Sequence, residues 1–396
     1  MQEDPIVIVG AARTPMGGFQ GSLTPLSAPE LGGCAIQGAV ERAGVPPEDI
    51  QDLIMGLCLF AGVKQAPARQ AAHLAGIPWD AGATTISKMC GSAMKATMLA
   101  HDNILAGSHD IMVAGGMESM TNAPYILPKA RGGYRLGNGD TVRDHMFMDG
   151  LEDAYDEGRL MGTFAEDTAE HYQFTREAQD NYAIESLTRA KKAVEDGSFD
   201  DEVVPVTVKT RKGETMVTSD EQPFNANIEK IPQLKPAFRK DGTVTPANSS
   251  SISDGAAALV LMKRSEAEKR GLTPKALIHA HSTHSQEPNW FTTAPIGAVK
   301  KVLEKTGWSK EEVDLFEVNE AFAVVAMAAM RDLDIPHDKI NVHGGACALG
   351  HPVGASGARI IVTLMSALEK YNLNKGVASL CIGGGEATAV SIERLN

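Results

Sequence analysis

Ile86-Ser-Lys-Met-Cys-Gly-Ser-Ala-Met-Lys-Ala96 puts a cysteine where a loop becomes a helix. Gly91 and Ser92 follow Cys90, and Ala93 to Ala100 are mostly good helix formers, so a helix is predicted from Cys90 to about residue 106. A helix start offers unpaired N–H groups and the positive end of the macrodipole, and both favour a thiolate. Cys90 is therefore expected to titrate below the free-thiol value of about 8.5. Two distant stretches carry similar punctuation. Asn341-Val-His-Gly-Gly-Ala-Cys-Ala-Leu-Gly-His-Pro-Val-Gly-Ala-Ser-Gly-Ala-Arg359 frames His351 with glycines, and Ser379-Leu-Cys-Ile-Gly-Gly-Gly-Glu386 frames Cys381. A nucleophile, a base and an acid so far apart require a fold that brings them together.

The pattern around these stretches is α/β. Ile6-Val-Ile-Val9, Asp52-Leu-Ile-Met-Gly56 and Asp110-Ile-Met-Val-Ala-Gly-Gly116 read as strands, with helices predicted over 28–43 and 66–75. Much of this occurs twice. Glu41-Arg-Ala-Gly-Val-Pro-Pro-Glu-Asp-Ile50 returns as Glu304-Lys-Thr-Gly-Trp-Ser-Lys-Glu-Glu-Val313, an offset of 263 residues from Gly44 to Gly307. Val113-Ala-Gly-Gly-Met-Glu118 returns as Cys381-Ile-Gly-Gly-Gly-Glu386, with an offset of 268. Near-constant offsets in matching order point to a duplicated half-domain. Moving Cys90 by the first offset lands two residues beyond His351, so the reactive groups are expected at equivalent helix starts. The organisation read from this is a first half over 1–119, an inserted excursion over 120–270 and a second half over 271–396. The excursion carries a predicted helical pair, 163–173 and 176–196, and Ala256-Ala-Ala-Leu-Val-Leu-Met262 reads as a strand re-entering the core. So long an excursion is expected to bind substrate.

Composition narrows the partners. The net charge of −13 without any block of Lys or Arg argues against nucleic acid. There is no apolar run long enough to span a membrane and no secretory pattern after Met1, so no membrane role is expected. Five cysteines, odd in number and irregularly spaced, oppose a disulfide framework and suit a reducing compartment, with the cytoplasm as the expected location. No Cys-x2-Cys pair and no P-loop or G-x-G-x-x-G after a strand is present, so neither a metal nor a dinucleotide cofactor is expected.

The remaining polar candidates lie at strand ends and turns. His351, held between Gly350 and Pro352, is the favoured base; His343, in the same glycine-rich turn, is the alternative and otherwise a support residue. Cys381 ends the apolar run from Val377, and Gly383 to Gly385 expose backbone N–H groups suited to an oxyanion. Asn319 ends the strand from Leu315 and can orient a water or an oxyanion. Cys34, Cys58 and Cys347 read as packing residues.

Taken together, Ser87-Lys-Met-Cys-Gly-Ser92, Val318-Asn-Glu-Ala-Phe322, Asn341-Val-His-Gly-Gly-Ala346, Gly350-His-Pro-Val-Gly-Ala-Ser-Gly-Ala-Arg359 and Leu380-Cys-Ile-Gly-Gly-Gly385 closely resemble the thiolase family, and within it the short-chain acetyl-CoA acetyltransferases. The likeness runs in order along the whole chain. It implies an α/β fold with a duplicated, five-layered αβαβα core and an inserted α+β loop domain. It also implies coenzyme A thioesters as substrates (acetyl-CoA, acetoacetyl-CoA and CoA), no cofactor, and a homo-oligomer, either dimer or tetramer. The implied activity joins two acetyl-CoA into acetoacetyl-CoA plus CoA, reversibly, through an acetyl-cysteine. Cys90 is the implied nucleophile, His351 its base, Cys381 the acid/base of the second step and Asn319 the holder of an oxyanion water. The N–H groups of Cys90 and Gly383 form a second oxyanion hole. Leu151, Met161, Phe238, Ser250, Ala321 and Phe322, with His343, match positions implied to line the CoA and acyl groups. Leu160, Pro246 and Ser249-Ser-Ser251 depart from the family pattern. The runner-up activities are a broader-chain 3-ketoacyl-CoA thiolase and a decarboxylating ketoacyl synthase; the second cysteine opposes the latter.

Overall fold

The computed structural model describes residues 4–137, 141–211 and 213–395. Its framework is a sheet in which neighbouring strands run Gly82–Ile86, Asp52–Gly56, Ile111–Ser119, Ser253–Lys263, Ile6–Arg13, then Ala276–Ser285, Glu386–Arg394, Lys375–Ile382 and Leu315–Val318. The two halves meet edge to edge, where Val7 and Ile8 oppose Leu277 and Ala276. From that seam outward the order mirrors itself. Phe316 bridges Ile340 in parallel at the position that Gly82–Ile86 occupies in the first half.

Side chains along the strands alternate between two buried faces with the period of two that a sheet imposes. Ile6 and Ile8, Ile54, and Met112 and Ala114 face the middle of the molecule, whereas Val7 and Val9, Leu53 and Met55, and Ile111 and Val113 face outward. Between the two half-sheets lie the helices Ser92–Leu105 and Ser356–Lys370, whose apolar residues share one core with both inner faces. The helices Ala28–Ala43 and Pro67–Leu74 cover the outer face of the first half, and Ala294–Thr306 and Ala323–Leu333 that of the second. The expected five αβαβα layers are therefore present. Ala28–Ala43 begins as its sequence directs: Ser27 and Glu30 form a capping box, and Gly44 closes the helix in the left-handed conformation.

The duplication needs one correction. The offset of 263 agrees with the strand registers, since Asp52 lies opposite Met112 while Asp314 bonds the carbonyl of Lys375. The offset of 268 does not. Gly115 and Gly116 lie inside a strand, whereas Gly383 to Gly385 form the turn between two strands. The glycines coincide for different reasons: close approach in the first half and chain reversal in the second.

The excursion boundary also moves. Ser253–Lys263 pairs with Ile111–Ser119 on one side and Ile6–Arg13 on the other, so this strand belongs to the first half, not to the segment read as 120–270. The chain leaves the core after Ser119 and rejoins it at Ser253. In between, Met161–Tyr172 and Arg176–Glu195 form the expected helical pair, and Val206–Thr210 pairs with Gly213–Val217 as a hairpin. A buried ion cluster, Arg13 with Glu202 and Asp220, fastens the excursion to the first strand. Among the described residues no helix is long and apolar enough to cross a membrane.

The central helices touch at their starts. A Cβ on Gly357 would lie 2.4 Å from the backbone nitrogen of Met94. Gly357→Ala is therefore expected to lower the thermal midpoint clearly, as overpacking of this kind costs about 1–3 kcal/mol. Calorimetry on the two proteins checks this, and an unchanged midpoint contradicts the close approach.

Candidate active site

Cys90 stands on a tight turn just before the first central helix. Met89 adopts the left-handed conformation, with φ 47°, which a side chain with a Cβ normally avoids. The turn is held from both sides. Gly91 N–H and Ser92 N–H donate to the carbonyls of Lys88 and Met89, each at 3.0 Å. Ser92 Oγ accepts the Lys88 N–H at 2.8 Å and donates to the Met89 carbonyl at 2.6 Å. The Cys58 thiol donates to that same carbonyl at 3.1 Å, so Cys58, read as a packing residue, also braces the nucleophile turn.

The backbone N–H groups of Gly383 and of Cys90 itself both favour charge on the Cys90 sulfur, as a helix start predicts. The pKa expectation nevertheless fails. Burial pushes the Cys90 thiol up to about 11, outweighing those donors, and the Glu118 carboxylate adds to the rise. Cys90 keeps partial access to solvent, yet the apolar neighbours Leu151, Ile252 and Val353 leave a thiolate poorly solvated. Cys381 is fully buried in its strand and raised well above the usual thiol range, by burial first and by the neighbouring Cys90 next. The two thiols therefore lie close enough to feel each other's charge.

His351 sits in the turn before the second central helix. Ser356 Oγ donates to the Pro352 carbonyl at 3.0 Å, so toward His351 it acts as acceptor, for Nδ1–H at 2.5 Å. That fixes the tautomer: Nε2 carries the lone pair, and it is buried without a hydrogen-bond partner. Burial, with Arg359 adding to it, lowers the His351 pKa to about 3, so the ring is neutral at any working pH. The Asn319 amide stands 3.5 Å from Nδ1, and its Oδ1 has no partner, leaving a polar end free for a ligand. A further residue of that motif, Glu320, is fully buried and accepts from Tyr182, Ser186, Asn341 and the Cys347 N–H. It ties the Asn319 turn to the segment leading into His351. Across the halves, Lys88 pairs with Glu386, joining the Cys90 turn to the strand after Cys381.

A cavity of about 440 Å³ opens beside this group. Of the residues matched to CoA and acyl positions, Leu151, Met161, Phe238, Ser250 and Phe322 line it, together with His351 and Val353. Leu160, Pro246 and Ser251, the departures from the family pattern, are in the same wall. Ala321 lies just behind it, its carbonyl accepting the Ser250 N–H at 3.0 Å. His343 is elsewhere. It packs edge-on against Phe199 and beside Tyr371, in a separate cavity with Lys192 and Asp196, and burial lowers its pKa to about 4. The chain reverses at Gly344, where φ is positive, and this carries His343 away from the His351 side. Neither a base nor a CoA contact is therefore assigned to it.

His101, Asp102 and His281 form the one described group with spacing that suits a metal ion. His101 and Asp102 lie in the far half of the first central helix and His281 in the strand Ala276–Ser285, and none of them lines the cavity.

Residues 6–265 match the thiolase N-terminal domain and residues 272–394 the thiolase C-terminal domain. The chain is 47% identical to an acetyl-CoA acetyltransferase of Cupriavidus necator, covering 98% of this chain and 99% of that one. A crystal structure of the acetyl-CoA acetyltransferase of Bacillus anthracis superposes with a TM-score of 0.96 at 43% identity, over 99% of both chains. A thiolase from Ascaris suum, solved in complex with coenzyme A, superposes with a TM-score of 0.93 at 42% identity, over 99% of this chain and 100% of that one.

The neutral thiol and neutral imidazole set a pH dependence. Thiolate is scarce until the pH nears the raised pKa of about 11, so iodoacetamide alkylation of Cys90 is expected to keep climbing past pH 9. Peptide mass spectrometry over pH 5–11 measures it. A plateau reached below pH 7 would mean a resting thiolate–imidazolium pair instead.

Proposed function

The chain belongs to the thiolase family, and we infer that it is an acetyl-CoA C-acetyltransferase, interconverting two acetyl-CoA with acetoacetyl-CoA plus CoA through an acetyl group carried on Cys90. One observation carries the reading furthest. The partly accessible Cys90 stands at the start of one central helix and the neutral imidazole of His351, its Nε2 lone pair free, before the start of the other, and these two starts meet at backbone distance.

In the first half-reaction the Cys90 proton passes to His351 Nε2 as the sulfur attacks the acetyl carbonyl. The N–H groups of Gly383 and Cys90 receive the negative charge that develops on the carbonyl oxygen. The tetrahedral species collapses, the acetyl–sulfur bond to CoA breaks, and the leaving CoA thiolate takes the proton from His351. Cys381 gives its proton to solvent, and its thiolate takes an α-proton from a second acetyl-CoA. The enolate oxygen is held by the Asn319 side of the site, its carbon attacks the acetyl carbonyl on Cys90, the acetyl–sulfur bond breaks, and the released Cys90 thiolate takes a proton back from solvent through His351. Cleavage of acetoacetyl-CoA is this sequence reversed, with Cys381 returning the proton. Coenzyme A thioesters enter as substrates, and every step is a proton or acyl transfer. The cavity lined by Met161, Phe238 and Phe322 suits the methylene segments of a pantetheine arm, with Ser249 and Ser250 in the same wall for its polar groups, which supports CoA as the carrier.

A homo-oligomer is part of the proposal. Gly82–Ile86 ends the sheet with one side unpaired and exposed residues along it, an edge that a second copy of the chain can cover. Light scattering at micromolar concentration is expected to give a multiple of the chain mass; a single-chain mass counts against it. The five cysteines are all free, which suits the cytoplasm as the proposed location.

The division of labour between the thiols is tested with Cys381→Ala. Cys90 should still be acetylated, so exchange of label between acetyl-CoA and free CoA should persist. Acetoacetyl-CoA thiolysis should fall by about 10²–10⁴-fold, the usual contribution of general acid–base catalysis. Equal losses in both assays would remove Cys381 from the acid/base role. Thiolysis of longer 3-ketoacyl-CoA esters on the same wild-type preparation sets the acyl range, and activity confined to long chains would overturn the acetyl preference.

A further inference from the structure

Glu118 lies in the strand Ile111–Ser119, opposite Gly255, with no solvent exposure and, among the described residues, no ion pair. Its carboxylate accepts three backbone N–H groups: Cys58 at 3.0 Å, Leu59 at 3.2 Å and Gly354 at 2.9 Å. The first two belong to the loop after the strand Asp52–Gly56, in the first half. The third belongs to the second half, three residues beyond His351. Each end leads to a reacting group. Cys58, bonded through its N–H, uses its thiol to hold the carbonyl of Met89, the residue before Cys90. Gly354 lies against the first half so tightly that a Cβ there would come within 2.8 Å of Glu118 itself and 2.9 Å of the Met117 carbonyl. Its own carbonyl leaves only 2.0 Å for a Cβ on Gly116.

We propose that Glu118 is a positioning residue for acyl transfer, its carboxylate locking the Cys90 turn of one half to the His351 turn of the other. The inference rests on the acyl-transfer reading above. Glu118 touches neither the reacting atoms nor the cavity wall. It acts through Cys58 and Gly354. Buried carboxylates without a cation are costly, and three amide donors are what make this one tolerable. Burial raises its pKa to about 7, so the carboxylate is fully charged only above neutral pH, where the three donors hold it. Its field also opposes ionisation of Cys90, an expense that a residue serving stability alone has no reason to impose on the nucleophile.

Glu118→Gln and Glu118→Asp in the full chain separate these effects. Glutamine keeps the shape, removes the charge and turns an NH₂ toward amide donors. Aspartate keeps the charge but is one methylene too short to reach both loops. For both, kcat is expected to fall at least tenfold in acetyl exchange and in acetoacetyl-CoA thiolysis alike, with KM within threefold of wild type. In Glu118→Gln the pH midpoint for iodoacetamide alkylation of Cys90 should also move down, because a repelling charge is gone, whereas Glu118→Asp should leave it unmoved. A more reactive thiol combined with slower turnover is the result that loosened packing alone does not give. If the glutamine variant fails to fold, the aspartate variant carries the comparison. A folded variant with kcat within threefold of wild type, or a loss confined to KM, overturns the inference. Wild-type enzyme lacking thiolysis and acetyl-Cys90 would instead overturn the acyl-transfer reading itself.

Discussion

The contact between the starts of the two central helices is what the rest of the site depends on. Gly357 is the second residue of its helix and Met94 the third of the other, and they meet at backbone distance. Cys90 precedes one start and His351 the other, so this contact places side by side two residues that are 261 positions apart in the chain. It also accounts for glycines that a hydrophobic core would otherwise fill. Gly116, Gly354 and Gly357 lie where backbone approaches backbone, and any Cβ at these points would force the helix starts apart. The sheets, the outer helices and the edge seam hold that contact under compression from both faces.

Burial then decides the protonation states. The same low-dielectric surroundings raise the Cys90 thiol to about 11 and lower His351 to about 3, so the resting proton belongs on sulfur. Proton transfer between them is unfavourable until negative charge can move onward to a carbonyl oxygen. The donors that favour charge there, the Gly383 and Cys90 N–H groups, belong to the backbone and need no rearrangement. Ionisation is thereby coupled to attack on a thioester, and a resting thiolate exposed to oxidants is avoided. The orientation of His351 follows the same logic, since Ser356 takes Nδ1–H and leaves the lone pair on the free nitrogen.

Much of this was legible before any coordinates, because the informative residues are punctuation. The helix start at Cys90, the Gly–His–Pro turn, the glycines after Cys381 and the 263-residue offset each left a local mark in composition. What escaped were features made by tertiary contact. The strands Ala276–Ser285 and Glu386–Arg394 mix polar and apolar residues: the first lies at the seam and carries His279, His281 and His284, and the second pairs along it. Glu118 and Glu320 look like ordinary acidic residues, and only burial among amide and hydroxyl donors shows otherwise. The thiol pKa was misjudged because a helix start is visible in sequence and desolvation is not. His343 was misplaced for a similar reason: proximity in a glycine-rich stretch says nothing about which way the chain reverses.

The two cysteines show how position alone separates identical side chains into different roles. Cys90 stands on a strained turn, with Met89 at positive φ, outside regular hydrogen bonding and partly accessible. Such a sulfur can accept a bulky acyl group and present it. Cys381 is locked in the strand Lys375–Ile382, opposite Ala387, and wholly buried. It has no room to be acylated by a large thioester, yet a proton needs none. Its raised pKa keeps that proton available until a carbanion forms beside it, and an esterified, uncharged Cys90 makes ionisation of Cys381 easier. The order of the two half-reactions is therefore built into the electrostatics: once acylated, the accessible thiol can no longer ionise and oppose ionisation of the buried one.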